Sequence, residues 1–218
     1  MPTATRTWTA PRVLAELRRL GTQKTRAGMA RYGIPAANAC GVPVARLWEL
    51  ARRIGKDHGL ALALWDTGVY EARMVATRVA SAEQLQARDV ERLLRSFDSW
   101  AITDTCCWNL LEQLPDAYAL ALRWSRRAPE FEKRAGYALM ASLALHDKAA
   151  KDSAFTPFLT RLRRSGDDQR NFVRKAVSWA LRAIGKRNPA LRARAIATAT
   201  AMGDCWAARN ALLELRRR

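Results

Sequence analysis

The sequence has little of what membrane proteins, disulfide-rich secreted proteins and zinc proteins need. No apolar run reaches the ~20 residues that span a bilayer, and the N-terminus lacks the apolar core of a signal peptide. The only histidines are His58 and His146, and the adjacent Cys106 and Cys107 do not have metal-ligand spacing. We therefore expect a protein of the bacterial cytosol or nucleoid, without a zinc site or a disulfide framework.

Acidic residues are scarce beside basic ones. The chain has 38 Lys and Arg against 20 Asp and Glu, a formal net charge of +18, and +14 of this excess falls on residues 121–218. A body with this charge favours a polyanionic partner, whose binding releases condensed counterions. Two alternatives remain: a composition bias toward Arg and Ala without a partner, and a membrane surface. The membrane is the weaker one because no helix pairs a basic face with an uninterrupted apolar face.

Two-residue alternation is also missing, so no strand is predicted and a helical period dominates. We expect one all-α domain over residues 1–218, with about twelve or thirteen short helices and with residues 1–10 flexible. From about residue 43 the helices pair with a spacing near 35 to 45 residues, which is typical of an irregular HEAT-like solenoid. Such a solenoid has a concave face, and a concave basic face suits a nucleic-acid duplex.

The predicted helix Trp100–Leu114 carries the first candidate group. Trp100 and Asp104 are four residues apart, so an indole and a carboxylate lie on one face, one turn from each other, and Trp108 extends the line. This pair can serve chemistry. The alternative is structural: Trp100 packs at the start of the helix and Asp104 forms a salt bridge with a neighbouring Arg.

The predicted helix Gln169–Gly185 carries the second group. Lys175, Trp179 and Arg182 share one face at i, i+4 and i+7, and Arg174 adds a further cation. Phosphate contacts on either side of a flat ring are what a DNA-facing helix offers. The alternative is a surface Trp covered by the aliphatic stems of its neighbours.

The predicted helix Glu130–Leu145 carries Arg134 and Tyr137 on one face, among residues small enough for close helix packing. A guanidinium at this position is either simply solvated or clamps a carboxylate or a phosphate.

Together these stretches resemble the AlkD-type DNA alkylation repair glycosylases, which are built of HEAT-like repeats. The family's Trp four residues before an essential Asp is similar to Trp100 and Asp104, and its active-site Arg about a repeat later is similar to Arg134. Its second cleft Trp, within F-[IV]-x-K-A-[IVL]-x-W-x-L-R, is similar to Trp179 within residues 172–182. The start of a helix at Tyr70-Glu-Ala-Arg is also similar, and the resemblance spans roughly residues 25–215.

The resemblance implies removal of cationic alkylated purines, such as 7-methylguanine and 3-methyladenine, from double-stranded DNA in base excision repair. It implies that Asp104 stabilises positive charge on the sugar, that Trp100 and Trp179 flank the deoxyribose, and that Arg134 clamps a phosphate. Further DNA contacts are expected from Lys175, Arg182, Arg174 and Tyr137. No cofactor or metal is required, and a monomer is expected because no heptad seam is visible.

The chain departs from the family pattern, since Ser99-Trp100-Ala101 supplies one aromatic where the family usually has two. Related branches bind DNA without cleaving it, so a non-catalytic HEAT-like DNA-binding or scaffold protein stays open. A helical protein-interaction module whose charge is composition bias is the third hypothesis.

Overall fold

A computed structural model describes residues 7–217 of the chain, which form thirteen α-helices and no strand, so the all-α prediction is confirmed. No helix within this range is both long and apolar enough to cross a bilayer. The helices are α1 (Ala10–Leu20), α2 (Gln23–Met29), α3 (Val44–Ile54), α4 (His58–Asp66), α5 (Tyr70–Val79), α6 (Ala87–Arg95), α7 (Trp100–Asn109), α8 (Ala117–Trp124), α9 (Glu130–His146), α10 (Thr156–Arg163), α11 (Asn171–Gly185), α12 (Pro189–Ala201) and α13 (Trp206–Leu215).

The predicted helices begin and end close to the observed ones, with differences where the backbone changes conformation. The helix predicted over Trp100–Leu114 stops at Asn109 because Leu110 leaves the helical region, and one 3₁₀ turn, Leu111–Gln113, follows. Of the segment expected to be flexible, residues 1–6 lie outside the described range. Thr9 caps α1 through its side chain, so ordered structure begins earlier than predicted.

The chain forms two compact units, residues 1–89 and residues 90–218. The expectation of one domain over the whole chain stays a prediction. In the first unit α5 packs against α1, α3 and α4. Leu17, Leu47, Leu64 and Val75 from these four helices are fully buried and form its core.

A buried carboxylate, Glu71, fixes the loop before α3. It accepts backbone N–H bonds from Cys40, Gly41 and Val42 at 2.8, 2.6 and 3.2 Å, and its side chain has no exposed surface. Gly41 has φ +80°, and a Cβ there would lie 2.3 Å from the carbonyl oxygen of Thr22, so only glycine fits. The carboxylate satisfies donors that the loop would otherwise leave unpaired.

The second unit has two rows of helices. One row consists of α7, α9, α11 and α13, in which each helix packs against the next. The other row contains α8, α10 and α12, which pack behind it: α8 against α9, and α12 against α11 and α13. Side chains that the sequence places on α7, α9 and α11 are therefore carried by three adjacent helices.

Helix α9 is buried on nearly all sides, because α7, α8 and α11 surround it. At Gly136 a Cβ would lie 2.2 Å from the backbone nitrogen of Ser125, so glycine permits the close approach of α9 to the end of α8. Tyr137 is 1% exposed and its hydroxyl lies 2.7 Å from the Ser165 hydroxyl. The prediction that Tyr137 contacts DNA is therefore wrong: its ring is part of the core.

Candidate active site and nucleic-acid interface

One face of α7 carries Trp100, Asp104 and Trp108 at intervals of one turn. The hydroxyl of Ser99 caps the helix by accepting the N–H of Ile102, which fixes Trp100 as its first residue. Because residues four apart lie one above the other on a helix, the carboxylate stands between two indoles along the helix. The spacing seen in the sequence is thus realised on one continuous helix.

The carboxylate of Asp104 pairs with the guanidinium of Arg134 in a bidentate arrangement. Nε donates to Oδ1 at 2.9 Å and a terminal nitrogen donates to Oδ2 at 2.6 Å, while the other terminal nitrogen donates to the Phe172 carbonyl at 2.5 Å. Two parallel charge-assisted bonds of this kind hold both planes in a fixed orientation. The arrangement joins α7, α9 and α11 through one side chain.

Burial differs between the two partners of this pair. The side chain of Arg134 is 7% exposed and that of Asp104 is 17% exposed, so part of the Asp104 side chain still faces solvent. Burial raises the pKa of the Asp104 carboxyl above its ordinary value, and the adjacent charge and hydrogen bonds of Arg134 lower it in part. Arg134 therefore favours the ionised form of a carboxylate that its surroundings would otherwise tend to protonate.

The predicted role of Arg134 as a phosphate clamp needs correction. All three of its nitrogens donate to protein acceptors, and almost none of its surface is exposed. Binding a phosphate would require breaking bonds to Asp104 or to the Phe172 carbonyl and leaving a buried charge unpaired, which is costly. In this structure Arg134 positions the carboxylate.

The indole of Trp179 on α11 stacks with the indole of Trp108 on α7. Their ring centroids are 6.3 Å apart and their planes differ by 17°, an offset parallel arrangement. The sequence placed Trp108 in line with Asp104 but gave no sign that it meets Trp179, since the two residues are far apart in the chain. Trp108 is therefore a site residue that the candidate set lacked.

A second group missed by the sequence lies beside Trp108. The imidazole of His146 meets this indole edge to face, with centroids 4.2 Å apart. Its Nδ1 lies 2.7 and 2.8 Å from the two carboxylate oxygens of Glu112, and the hydroxyl of Ser142 donates to the same carboxylate. The imidazole is thus held in one orientation by α9 and by the 3₁₀ turn after α7.

The cations predicted on α11 have different surroundings. Lys175 is exposed and forms no ion pair with any described residue. Arg182 donates to Glu214 at 2.5 Å, and Lys186 pairs with the same carboxylate. Of these, Lys175 is the cation most readily available to an external phosphate.

The guanidinium of Arg174 lies over the ring of Trp206, 5.1 Å from its centroid, where α11 packs against α13. A cation in this position is attracted by the ring face. Arg174 therefore serves the packing of these two helices in the structure. Whether it also contacts DNA stays a prediction.

Within residues 7–217, no group of three or more His, Cys, Asp or Glu side chains is placed to hold a metal ion. The groups that converge here are a carboxylate, a guanidinium and two stacked indoles, carried by α7, α9 and α11.

Comparisons with known proteins identify the fold and the family of this chain. The structure is similar to one from a new family of proteins related to the HEAT-like repeat DNA glycosylases with affinity for branched DNA structures; the TM-score is 0.81, with 21% identity over 90% of this chain and 84% of that one. The likeness confirms the HEAT-like fold. No curated protein matches the sequence. The family model described as DNA alkylation repair enzyme matches residues 13–215, and the chain therefore belongs to the DNA alkylation repair enzyme family.

Proposed function

We propose that this protein is a monofunctional DNA glycosylase that releases cationic alkylated purines, such as 7-methylguanine and 3-methyladenine, from duplex DNA in base excision repair. The observation that carries the proposal is Asp104, whose side chain is partly exposed and whose carboxylate is held by Arg134 on the same helix face as two indoles. Family membership and the positive charge support DNA as the substrate. We also propose that it acts as a monomer in the bacterial cytosol or nucleoid.

The leaving group of this reaction needs little assistance from the protein. An alkylated purine is already cationic, so when the bond between N9 of 7-methylguanine and C1′ breaks, the bonding electrons neutralise the base. Positive charge then develops on the deoxyribose, and the ionised Asp104 stabilises this oxocarbenium-like state. Water adds to C1′ and loses a proton, which restores a neutral sugar. Neither a metal nor a covalent intermediate on the protein is invoked.

Arg134 acts in this scheme as a positioning residue. Its bidentate bonds favour the ionised form of Asp104 and fix the direction of the carboxylate. The same positive charge also reduces the field that Asp104 exerts on a developing cation. The net effect is an anion that is correctly placed but partly neutralised, which suits a reaction whose leaving group is already activated.

The indoles and the surface cation hold the DNA. Trp100 and Trp179 offer ring faces toward the deoxyribose, where a developing positive charge is attracted by the ring quadrupole. Lys175, one turn from Trp179 on α11, contacts a backbone phosphate. None of these groups reads base sequence, so the substrate is recognised by its charge and its backbone.

The test is base release from a duplex with a single 7-methylguanine under single-turnover conditions. Asp104→Asn keeps the size of the side chain and removes its charge, and we expect the rate to fall by about 100-fold or more. Asp168→Asn is the matched control, because Asp168 is also a paired carboxylate, with Lys133 and Arg170 as its partners, and the variant loses the same charge. Base release that is unchanged in Asp104→Asn would refute the proposal.

A second function is favoured by a specific feature, the full engagement of Arg134 by Asp104 and the Phe172 carbonyl. A carboxylate neutralised in this way fits a non-catalytic HEAT-like protein that binds DNA, and the similar solved structure belongs to proteins with affinity for branched DNA. If the wild type releases no base but binds four-way junctions more tightly than duplex, with strong salt dependence, this function replaces the first. No DNA binding at all would support a protein-interaction module.

A further inference from the structure

We propose that the Trp108–Trp179 pair, with His146 beside it, is a stacking platform for an unpaired nucleobase of DNA. The inference rests on the proposed function only in taking DNA as the ligand. It concerns how the protein selects distorted DNA, and it does not depend on whether a glycosidic bond is broken.

The first argument is the exposure of Trp108. The exposed large hydrophobic side chains in the described range are Tyr32, Val44, Trp108 and Leu213, and Trp108, 43% exposed, is the only indole among them. Its chain neighbours Cys106 and Cys107 are buried, so α7 packs well around this position. Leaving a ring of this size in water forgoes hydrophobic stabilisation, which is typical of a surface that binds a flat partner.

The second argument is rigidity. Trp179 stacks with Trp108, and His146 meets it edge to face at 4.2 Å. His146 is itself held by Glu112, which also accepts the hydroxyl of Ser142. An indole fixed from two directions by other side chains loses little conformational entropy when a ligand stacks on it. The platform is therefore preorganised.

The third argument is the charge around the platform. Lys175 lies one turn from Trp179 on the same face of α11 and has no ion pair among the described residues. A cation next to a ring face matches a nucleotide, because its phosphate and its base can be bound together. An intact duplex hides its base faces within the stack, so only an unpaired or unstacked base can use the indoles.

The chemistry of the platform also limits its selectivity. Stacking on an indole is open to every base, since each base has a π face. The protein should therefore prefer bulges, mismatches and strand junctions over perfect duplex regardless of sequence. A base loosened by damage would be captured in the same way, one helical turn from Asp104 on α7.

The experiment uses the full-length protein and 2-aminopurine, a base whose fluorescence falls when it stacks. It is placed as a single-base bulge in one duplex and opposite thymine in a fully paired duplex of the same sequence. We expect the wild type to quench the bulged probe and to bind it about tenfold more tightly than the paired one. Trp108→Leu should abolish both the quenching and the preference, because it should weaken binding of the bulged duplex about tenfold more than binding of the paired one.

Two further variants make the result decisive. Trp108→Phe retains an aromatic face and should keep most of the preference, which separates stacking from a folding defect. Tyr32→Leu removes another exposed aromatic ring, in the unit of residues 1–89, and should change nothing. A preference that survives in Trp108→Leu, or equal weakening of both DNAs by that variant, would overturn the inference. A protein that stacks the probe but releases no 7-methylguanine would lose the glycosylase proposal alone.

Discussion

Each of the two units holds a carboxylate out of most of the solvent, and the two are held in different ways. In residues 1–89, Glu71 is fully buried and accepts three N–H bonds from the backbone of residues 40–42. In residues 90–218, Asp104 is held by a side chain from another helix, and its side chain is 17% exposed. A carboxylate enclosed by backbone donors maintains a loop, whereas the one held by a single guanidinium is the one that the proposed function places next to a substrate.

The largest expected effect concerns stability in the second unit. Arg134→Leu leaves the Asp104 carboxylate buried and unpaired, and it should lower the free energy of unfolding by about 3–5 kcal/mol. Urea denaturation followed by circular dichroism measures this loss. The double variant Asp104→Asn with Arg134→Leu is the control, because it removes the unpaired charge and should recover part of the stability. A double variant as unstable as the single one would show that the loss comes from packing.

A somewhat smaller loss is expected from Glu71→Gln. The amide keeps one acceptor oxygen but replaces the charge and one acceptor that serve the buried N–H groups of residues 40–42, so the free energy of unfolding should fall by about 2 kcal/mol. Glu49→Gln is the matched control, because that carboxylate is half-exposed and its one ion-pair partner within residues 7–217 is Arg46. Base release per folded molecule should be unaffected. A Glu71→Gln protein that is as stable as the wild type but releases base more slowly would contradict a purely structural role for Glu71.

The sequence predicted which side chains share a face of one helix better than it predicted the contacts between helices. The four-residue spacing of Trp100 and Asp104 is local, so a helical period is enough to place both on one face. The pairing of Asp104 with Arg134, and the stacking of Trp108 on Trp179, join residues that only the packing of α7, α9 and α11 brings together. A local pattern carries no information about such pairs.

The error at Tyr137 has a similar origin. Arg134 and Tyr137 share a face of α9, and two polar side chains on one face are typical of a solvent-facing surface. The small residues between and after them, including Gly136, instead let neighbouring helices close around α9 on nearly every side. Burial of such a helix depends on the neighbours that enclose it, so its own periodicity misidentifies the exposed face.

The pH dependence of base release tests the ionised state of Asp104. Because burial raises its pKa above the ordinary value of 3.8, activity should be lost as the pH falls through a value higher than that of an exposed Asp. In Arg134→Gln the opposing charge is absent, so the acid limb of a single-turnover pH profile should move to still higher pH. Circular dichroism at each pH confirms that the variant is folded. Identical acid limbs in the two proteins would exclude Asp104 as the titrating group.

The raised pKa of Asp104 should also affect how the free energy of unfolding depends on pH. A carboxyl whose pKa is higher in the folded state than in the unfolded state contributes stability at low pH, and that contribution is lost as the pH rises through the folded value. Glu214 has the opposite sign, since bonds from Lys186 and Arg182 lower its pKa to about 2 and its contribution is lost as the pH falls. Removing the Asp104 carboxyl should therefore cost stability mainly at low pH, whereas removing the Glu214 carboxylate should cost stability mainly at higher pH.

The smallest expected effects concern affinity for duplex DNA. They test the difference between an unpaired cation, Lys175, and a paired one, Arg182. Lys175→Ala removes a cation that has no ion pair within residues 7–217, and it should reduce the slope of log affinity against log salt by about 0.9, the value for one phosphate contact. Arg182→Ala should also weaken binding across sequences, but less, because its guanidinium already donates to Glu214. Fluorescence anisotropy at several salt concentrations measures both.

Glu214→Gln provides the reverse test. It removes the carboxylate that pairs with both Arg182 and Lys186, so both cations become available and duplex binding should tighten at low salt. Arg182→Ala in that background should then cost as much affinity as Lys175→Ala does in the wild type. Two results together would contradict this expectation: unchanged affinity in Glu214→Gln and no effect of Arg182→Ala at low salt. They would show that the C-terminal end of α11 does not contact DNA and that the DNA contact on this helix ends at Lys175.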